Sequence, residues 1–255
     1  MTIAIPAKLY KYQSFKKNPI NNIRERTIWF SKPCGLNDPF DMSISIRFGR
    51  KKSDFQELAD FIEKDTGLKP DAKHLTNGLI NQKFISSCRN IYDCEMKRRN
   101  EMFQQWGVAS FSEIPDNILL WSHYADGHKG FCIEFDTSYF PFINLKKVHK
   151  VIYRDSYPYV HPKYVLETNE FPFTSLITKS KKWKYEQEWR ILSTDGDTSI
   201  VYEINALTSI CFGCLMPADQ ISKICQLLKN SNITFYKMKI SDKTYRLIPE
   251  IYKYK

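Results

Sequence analysis

Residues 118–136 read ILLWSHYADGHKGFCIEFD, and two periodicities meet inside this one stretch. GFCIEFD (130–136) alternates without a break. Phe131, Ile133 and Phe135 fall on one side and Cys132, Glu134 and Asp136 on the other, the pattern of a half-buried strand. Upstream the spacing becomes helical: at about 100° per residue Ile118, Leu120, Trp121, Tyr124 and Ala125 share one arc, with Ser122 and His123 opposite it near Leu119. Pro115 with Asp116 offers a helix start, and Gly127 a stop, because a left-handed residue after the last turn costs glycine little. His123 is thereby left on the outer face, and His128 and Lys129 in the turn. Taken alone, His123 reads as a partly buried hydrogen-bonding residue and His128 as a surface one.

Working outward, further strands are expected over KLYKYQS (8–14), TIWFSKP (27–33), VASFSE (108–113), KVIYRD (150–155), SIVYEI (199–204), SICFGC (209–214) and a last one, ITFYKMKI (233–240). GLNDPFD (35–41) is a loop by its Asn, Asp and Pro, and YPYVHPKYVLETNEFPF (157–173) an irregular connection. Phe55, Leu58, Phe61 and Ile62 recur at three and four residues, so a helical insertion is expected at 53–105. Another helix is expected over PADQISKICQLLKN (217–230). Strands and helices mix without regular β-α-β units. The expected class is therefore α+β, with mixed, largely antiparallel sheets in a single domain over residues 1–255.

No window approaches the ~18 apolar residues of a membrane helix, and MTIAIPAKLY lacks the apolar core of a secretory signal. A soluble cytoplasmic protein without a membrane partner is expected. Seven cysteines at 34, 88, 94, 132, 211, 214 and 225 follow no disulfide framework, so they read as reduced thiols. Cys211 and Cys214 form a C-x-x-C without a second ligand pair, which favours buried thiols at a strand end over a metal site. The formal charge of +10 gathers in MKRRN (96–100), LKKVHK (145–150) and KSKKWK (179–184), a field that favours a polyanion such as nucleic acid or a nucleotide. Glycine is scarce, and neither G-x-G-x-x-G nor G-x-x-x-x-G-K-[ST] occurs, which argues against Rossmann and P-loop sites.

Two further stretches could carry chemistry. In WKYEQEWRIL (183–192), read as a strand, Glu186, Glu188 and Arg190 share a face, the carboxylates about 6.5–7 Å apart along the backbone. Read as a helix, Tyr185, Trp189 and Leu192 form a buried stripe and Glu186 pairs with Arg190 on the surface. The segment alone leaves both open. In LYKYQS (9–14), Lys11 and Tyr12 could hold a phosphate or stack on a base, although half-buried tyrosines in a sheet are commoner.

Taken together, LYKYQSF, IWFSKPCGLNDPFD, FSEIPDNILLWSHYADGHKGFCIEFD and KWKYEQEWRIL resemble a bacterial family called domain of unknown function 2971, over about residues 8–214. That resemblance implies a mobile-element or phage-defence gene, and brings no activity with it. A looser resemblance is to the ADP-ribosyltransferase fold, whose members place a histidine or arginine with an aromatic neighbour on a first strand, a serine or tyrosine on a middle strand, and an E-x-E or Q-x-E on a later one. The matching positions are Lys11 and Tyr12, Ser112, and Glu186-Gln187-Glu188, with Lys11 departing from the expected histidine or arginine.

This second resemblance implies a split-sheet core and nicotinamide adenine dinucleotide (NAD) as cofactor. Glu188 would stabilise the oxocarbenium-like ribose left when nicotinamide departs, and Glu186 would position or deprotonate the acceptor. Tyr12 would stack on nicotinamide, Ser112 fix the ribose, and His123 or Arg190 meet the pyrophosphate. Two competitors come from other classes: a metal-dependent nuclease using Asp38, Asp41, Glu186 and Glu188 around a divalent ion, and a noncatalytic binding module for nucleic acid or protein.

Overall fold

The computed structural model describes residues 4–42, 45–46, 103–143, 147–160 and 170–254, with isolated positions between 60 and 101. In chain order the strands are β1 (Lys8–Gln13), β2 (Thr27–Phe30), β3 (Ser45–Ile46), β4 (Gly107–Ser112), β5 (Phe131–Asp136), β6 (Val148–Lys150), β7 (Ile152–Arg154), β8 (Tyr159–Val160), β9 (Thr178–Ser180), β10 (Glu188–Ser193), β11 (Thr198–Val201), β12 (Leu207–Phe212), β13 (Thr234–Ile240) and β14 (Leu247–Ile251). The helices are α1 (Lys17–Glu25), α2 (Ile118–Tyr124), α3 (Glu170–Leu176) and α4 (Ala218–Leu227). The class is α+β. The chain divides into two compact units, one of residues 1–32, 107–151 and 182–255, the other of residues 33–106 and 152–181.

The first unit is built on a sheet in the order β14-β13-β12-β5-β1-β4-β10-β6. Its ladders are antiparallel except β12–β13, a parallel pair whose crossover is made by α4. The alternation of GFCIEFD sorts the two faces. Phe131, Ile133 and Phe135 join Leu9, Phe111, Trp189, Ile191, Ile210 and Phe212 in the main core, closed by Ile23 of α1, Ile28 and Phe30 of β2, and Ile221 and Ile224 of α4. On the opposite face Trp121 and Ala125 lie on Cys132, Cys211, Met238 and Leu247, with Tyr10 and Tyr12 at the margin. β2 also pairs with β11 as a separate ribbon.

In the second unit β3 pairs with β8 and β7 with β9, both parallel. Lys179 on β9 is buried and pairs with Asp41 at 3.8 Å. The expected insertion at 53–105 lies mostly outside the described residues. Asp60, Glu63, Lys64, Ser86, Asn90, Lys97, Glu101 and Phe103 within it are helical. No helix among the described residues is long and apolar enough to cross a membrane.

Several expectations need correction. A helix, α1, stands between β1 and β2 where only strands and turns were expected. Its Pro19 sits in the first turn, where the missing N–H breaks no helical bond, and Arg26 at φ 55° ends it. KVIYRD is split: β6 pairs with β10 and β7 with β9, with Val151 buried between them. The segment 157–173 holds β8 and the start of α3, its residues 161–169 lying outside the described ones. ITFYKMKI is not the last strand. β14 follows it, and Pro249 is tolerated there because β14 is at the sheet's edge. In α2, Ile118 is 42% exposed and so not part of the buried face.

The register between α2, β5 and β1 depends on Gly130. A Cβ there would stand 2.1 Å from the carbonyl oxygen of Gln13 and 2.9 Å from that of Ala125, both backbone atoms that cannot rotate away. Gly130→Ala should cost about 1–3 kcal/mol of unfolding free energy, read by urea titration. A loss below about 0.5 kcal/mol would mean that the strands separate more easily than this packing implies.

Candidate active site

The ladders of β1, β4 and β10 bring three separate parts of the chain into one transverse row. Tyr10 is opposite Ser112, and Ser112 is opposite Glu188. On its other side Tyr10 is opposite Glu134 of β5, so all four residues point to the face that carries α2. With strands about 4.8 Å apart, Glu188 stands two strand spacings from Tyr10. β1 and β4 are paired only at Tyr10 and Ser112. Lys11 reaches across to β4, its Nζ donating to the Ser110 carbonyl at 3.0 Å and lying 4.9 Å from the centre of the Phe111 ring.

Glu188 and Arg190 share a face of β10, as the strand reading expected. Arg190 Nε donates to Glu188 Oε1 at 2.8 Å and Nη2 to Oε2 at 3.2 Å, a two-point clamp on a pair that is 4% and 1% exposed. Glu186 departs from both readings. It ends a 3₁₀ turn over Lys181–Glu186, and Gln187 at φ 44° reverses the chain before the strand begins. That turn is pinned by β4: the Ser112 hydroxyl donates to the Glu186 carbonyl at 2.6 Å, and Glu113 N–H donates to the Gln187 carbonyl at 3.1 Å. Alternation along E-x-E therefore fails. The Glu186 carboxylate is buried and accepts from the Tyr124 hydroxyl of α2 at 2.7 Å.

α2 is fixed to the same turn at a second point. Asn117, not Pro115 or Asp116, caps the helix by accepting from Leu119 and Leu120 N–H, and its Nδ2 donates to the Tyr185 carbonyl at 2.9 Å. Tyr12 packs edge-on against Trp121 at 5.3 Å and donates to the Ile114 carbonyl at 2.7 Å, while burial pushes its phenol pKa up. His123 is exposed, its ring 6.2 Å from that of Trp183. His128, expected at the surface, is the more enclosed: Asp126, Gly127 and His128 all take left-handed φ, and His128 Nδ1 is buried without a hydrogen-bond partner. The histidine roles are thus reversed.

Glu134 was not foreseen as a site residue, although the alternation already put it on the α2 face. It accepts from Lys8 at 2.8 Å, Tyr10 at 3.1 Å and Thr208 at 2.7 Å. Cys132 and Cys211 are opposed across β5 and β12 as free buried thiols. Among the described residues no group of three or more His, Cys, Asp or Glu could hold a metal ion. Asp38 and Asp41, offered for such a role with Glu186 and Glu188, belong to the other compact unit.

Lys11 pays for its position in charge. Desolvation lowers its pKa from the ordinary 10.5 to about 8, against the pull of Glu188 toward the charged form. Below pH 8 the folded chain carries the full cost. Between pH 8 and 10.5 the unfolded chain still binds the proton that the folded one has released, so this residue's contribution to stability rises with pH by about 3 kcal/mol. Lys11→Met should be more stable than the parent at pH 7, with the difference closing toward pH 10.5. Urea titrations of both proteins test this, the difference cancelling the tyrosines and cysteines that titrate in the same range. An unchanging difference would refute it.

A family model described as Protein of unknown function (DUF2971) matches residues 120–191, from the middle of α2 to β10. The stretches LYKYQSF and IWFSKPCGLNDPFD fall outside that match. No curated protein and no solved structure matches the chain. The chain is similar, from Leu120 of α2 through Ile191 of β10, to a family defined by a protein of unknown function.

Proposed function

We propose that this protein cleaves the nicotinamide–ribose bond of an NAD-type dinucleotide and passes the ADP-ribosyl group to water or to an acceptor, with Glu188 as the carboxylate that stabilises the cationic ribose. One observation carries the reading. The middle-strand serine Ser112 and the later-strand glutamate Glu188 stand opposite each other on adjacent strands, and the first strand beside them adds Tyr10 to the row where the resemblance had matched Lys11 and Tyr12. A carboxylate fixed before the reaction lowers the barrier because it need not reorganise as charge develops.

The roles follow from what each side chain touches. Arg190 holds the Glu188 carboxylate from one side and sets its direction. Ser112 is a positioning residue, tying Glu186 and Ile114 by their backbones. Lys11 stands opposite Ile133 on the core face of the sheet, away from the row, with its Nζ over the Phe111 ring, so this reading gives it no contact with the dinucleotide. Glu186, held by Tyr124, accepts the proton of the incoming nucleophile. Such chemistry suits a defence or toxin-type effector. Incubating the purified chain with the dinucleotide and measuring nicotinamide by chromatography tests the reading. Absence of nicotinamide with water and with protein, DNA and RNA acceptors would sink it.

A further inference from the structure

The ribbon of β2 and β11 ends in a free edge. On one side β2 is fastened to β4, Ser31 N–H donating to the Val108 carbonyl at 3.0 Å and Val108 N–H to the Ser31 carbonyl at 2.9 Å. On the other side β11 is the last strand. Its register with β2, and the bond from Tyr202 N–H to the Arg26 carbonyl at 2.9 Å, turn the N–H and C=O groups of Thr198 and Ile200 toward β2, so those of Ser199 and Val201 point outward. Both residues are exposed. Phe140 closes the edge beyond Val201, its carbonyl accepting from Glu203 N–H at 3.2 Å, and the left-handed Asp197 ends it on the other side. The open run is short, and it carries no charge and no proline. β14 is the contrast: Tyr252 N–H bonds the Phe235 carbonyl, so by the same alternation Pro249 faces outward, and its missing N–H blunts that edge.

The side chains around the open run are apolar. Trp29, Phe140, Ile143, Val201 and Ile204 are between 42% and 60% exposed. We propose that a second copy of this chain docks here, β11 pairing antiparallel with its own copy about a two-fold axis at Ile200, so that the two ribbons become one sheet. That axis sets Ser199 opposite the partner's Val201, and each outward N–H then meets an outward C=O. Trp29 is opposite Ser199 on the same face, and serine is small enough to let the indole reach the partner's Val201. At these exposures the five side chains leave about 450 Å² per copy in water, so two copies bring about 900 Å², and the strand edges carry the contact past the ~1,000 Å² of a specific interface. Charge favours a copy over other extended chains. On a chain of net +10 this neutral face is where a second copy meets least repulsion, whereas an acidic partner would be drawn to the lysine-rich surface.

Sedimentation velocity of the full chain over a range of concentrations tests this, in reducing buffer so that the exposed Cys34 does not cross-link copies. The chain should form a concentration-dependent dimer that tightens as salt rises, because salt screens the repulsion between two copies of charge +10. Ser199→Pro removes an outward N–H and no bond to β2, so it should leave the ribbon folded and weaken the dimer about tenfold. Val201→Lys, which sets an ammonium beside the axis on each copy, should do the same, as should Trp29→Ala. Ile248→Ser, at a similarly exposed position on β14, should change nothing, and circular dichroism melts check that each variant is folded. A monomer at every concentration, a dimer that survives Ser199→Pro and Val201→Lys, one that Ile248→Ser breaks, or one that dissociates as salt rises would each overturn the proposal. Sedimentation reads association without turnover, so the dimer and the dinucleotide reading stand or fall separately.

Discussion

Arg190→Met should destabilise the fold by about 3–5 kcal/mol, because it removes the guanidinium and leaves the Glu188 carboxylate buried without its clamp. The position is unforgiving. Arg190 is 1% exposed, and Glu188 is 4% exposed on a strand hydrogen-bonded on both sides, to β4 and to β6. Methionine fills similar volume and donates nothing, so the loss is electrostatic before it is steric. Two controls separate the causes. The deficit should shrink as pH falls and Glu188 takes up a proton, since a neutral carboxyl tolerates burial far better. The double variant Glu188→Gln with Arg190→Met should recover part of the loss, because no charge is then stranded. Urea titration of all three proteins at pH 5 and pH 7 measures both effects. A loss under about 1 kcal/mol at pH 7 would show that the pair is not isolated from solvent in the way its burial implies.

What could be read from the chain follows from how local each signal is. β5 was plain because Phe131 to Asp136 alternate at period two and one face is core, so the pattern and the packing agree. α2 was read correctly in its buried Leu120, Trp121 and Ala125. It was misread at Tyr124, which was assigned to the core; it is only half-buried, and its hydroxyl reaches the carboxylate of Glu186, 62 residues away in the chain. The E-x-E segment failed for a related reason. Nothing in YEQEWR announces the left-handed Gln187; the turn is held by Ser112 and Glu113 of another strand, which no window of the sequence contains. The row of Tyr10, Ser112 and Glu188 is likewise a product of strand order. Residue types suggested Ser112 and Glu188 but pointed to Lys11 and Tyr12 on the first strand, and only the ladder shows that Tyr10 is the residue beside Ser112.

If the proposed dinucleotide cleavage holds, Glu188→Gln should lower nicotinamide release by about 10³-fold, equivalent to about 4 kcal/mol of transition-state stabilisation. The substitution keeps the shape and leaves an oxygen that can still accept from Arg190 while removing the negative charge that faces the developing cation. Its effect should therefore fall on kcat, with KM nearly unchanged, since the charge interaction strengthens only as the ribose becomes cationic. Glu186→Gln provides the contrast. Glutamine can accept from the Tyr124 hydroxyl as glutamate does but cannot take a proton from the nucleophile, so transfer should fall by about 10²-fold. Circular dichroism melts of each variant, with rates normalised to folded protein, keep the stability cost of the lost Glu188–Arg190 ion pair out of the comparison. Equal losses in the two variants would assign no separate role to either carboxylate. A Glu188→Gln protein with parental kcat would remove the charge from the mechanism and leave the row as architecture.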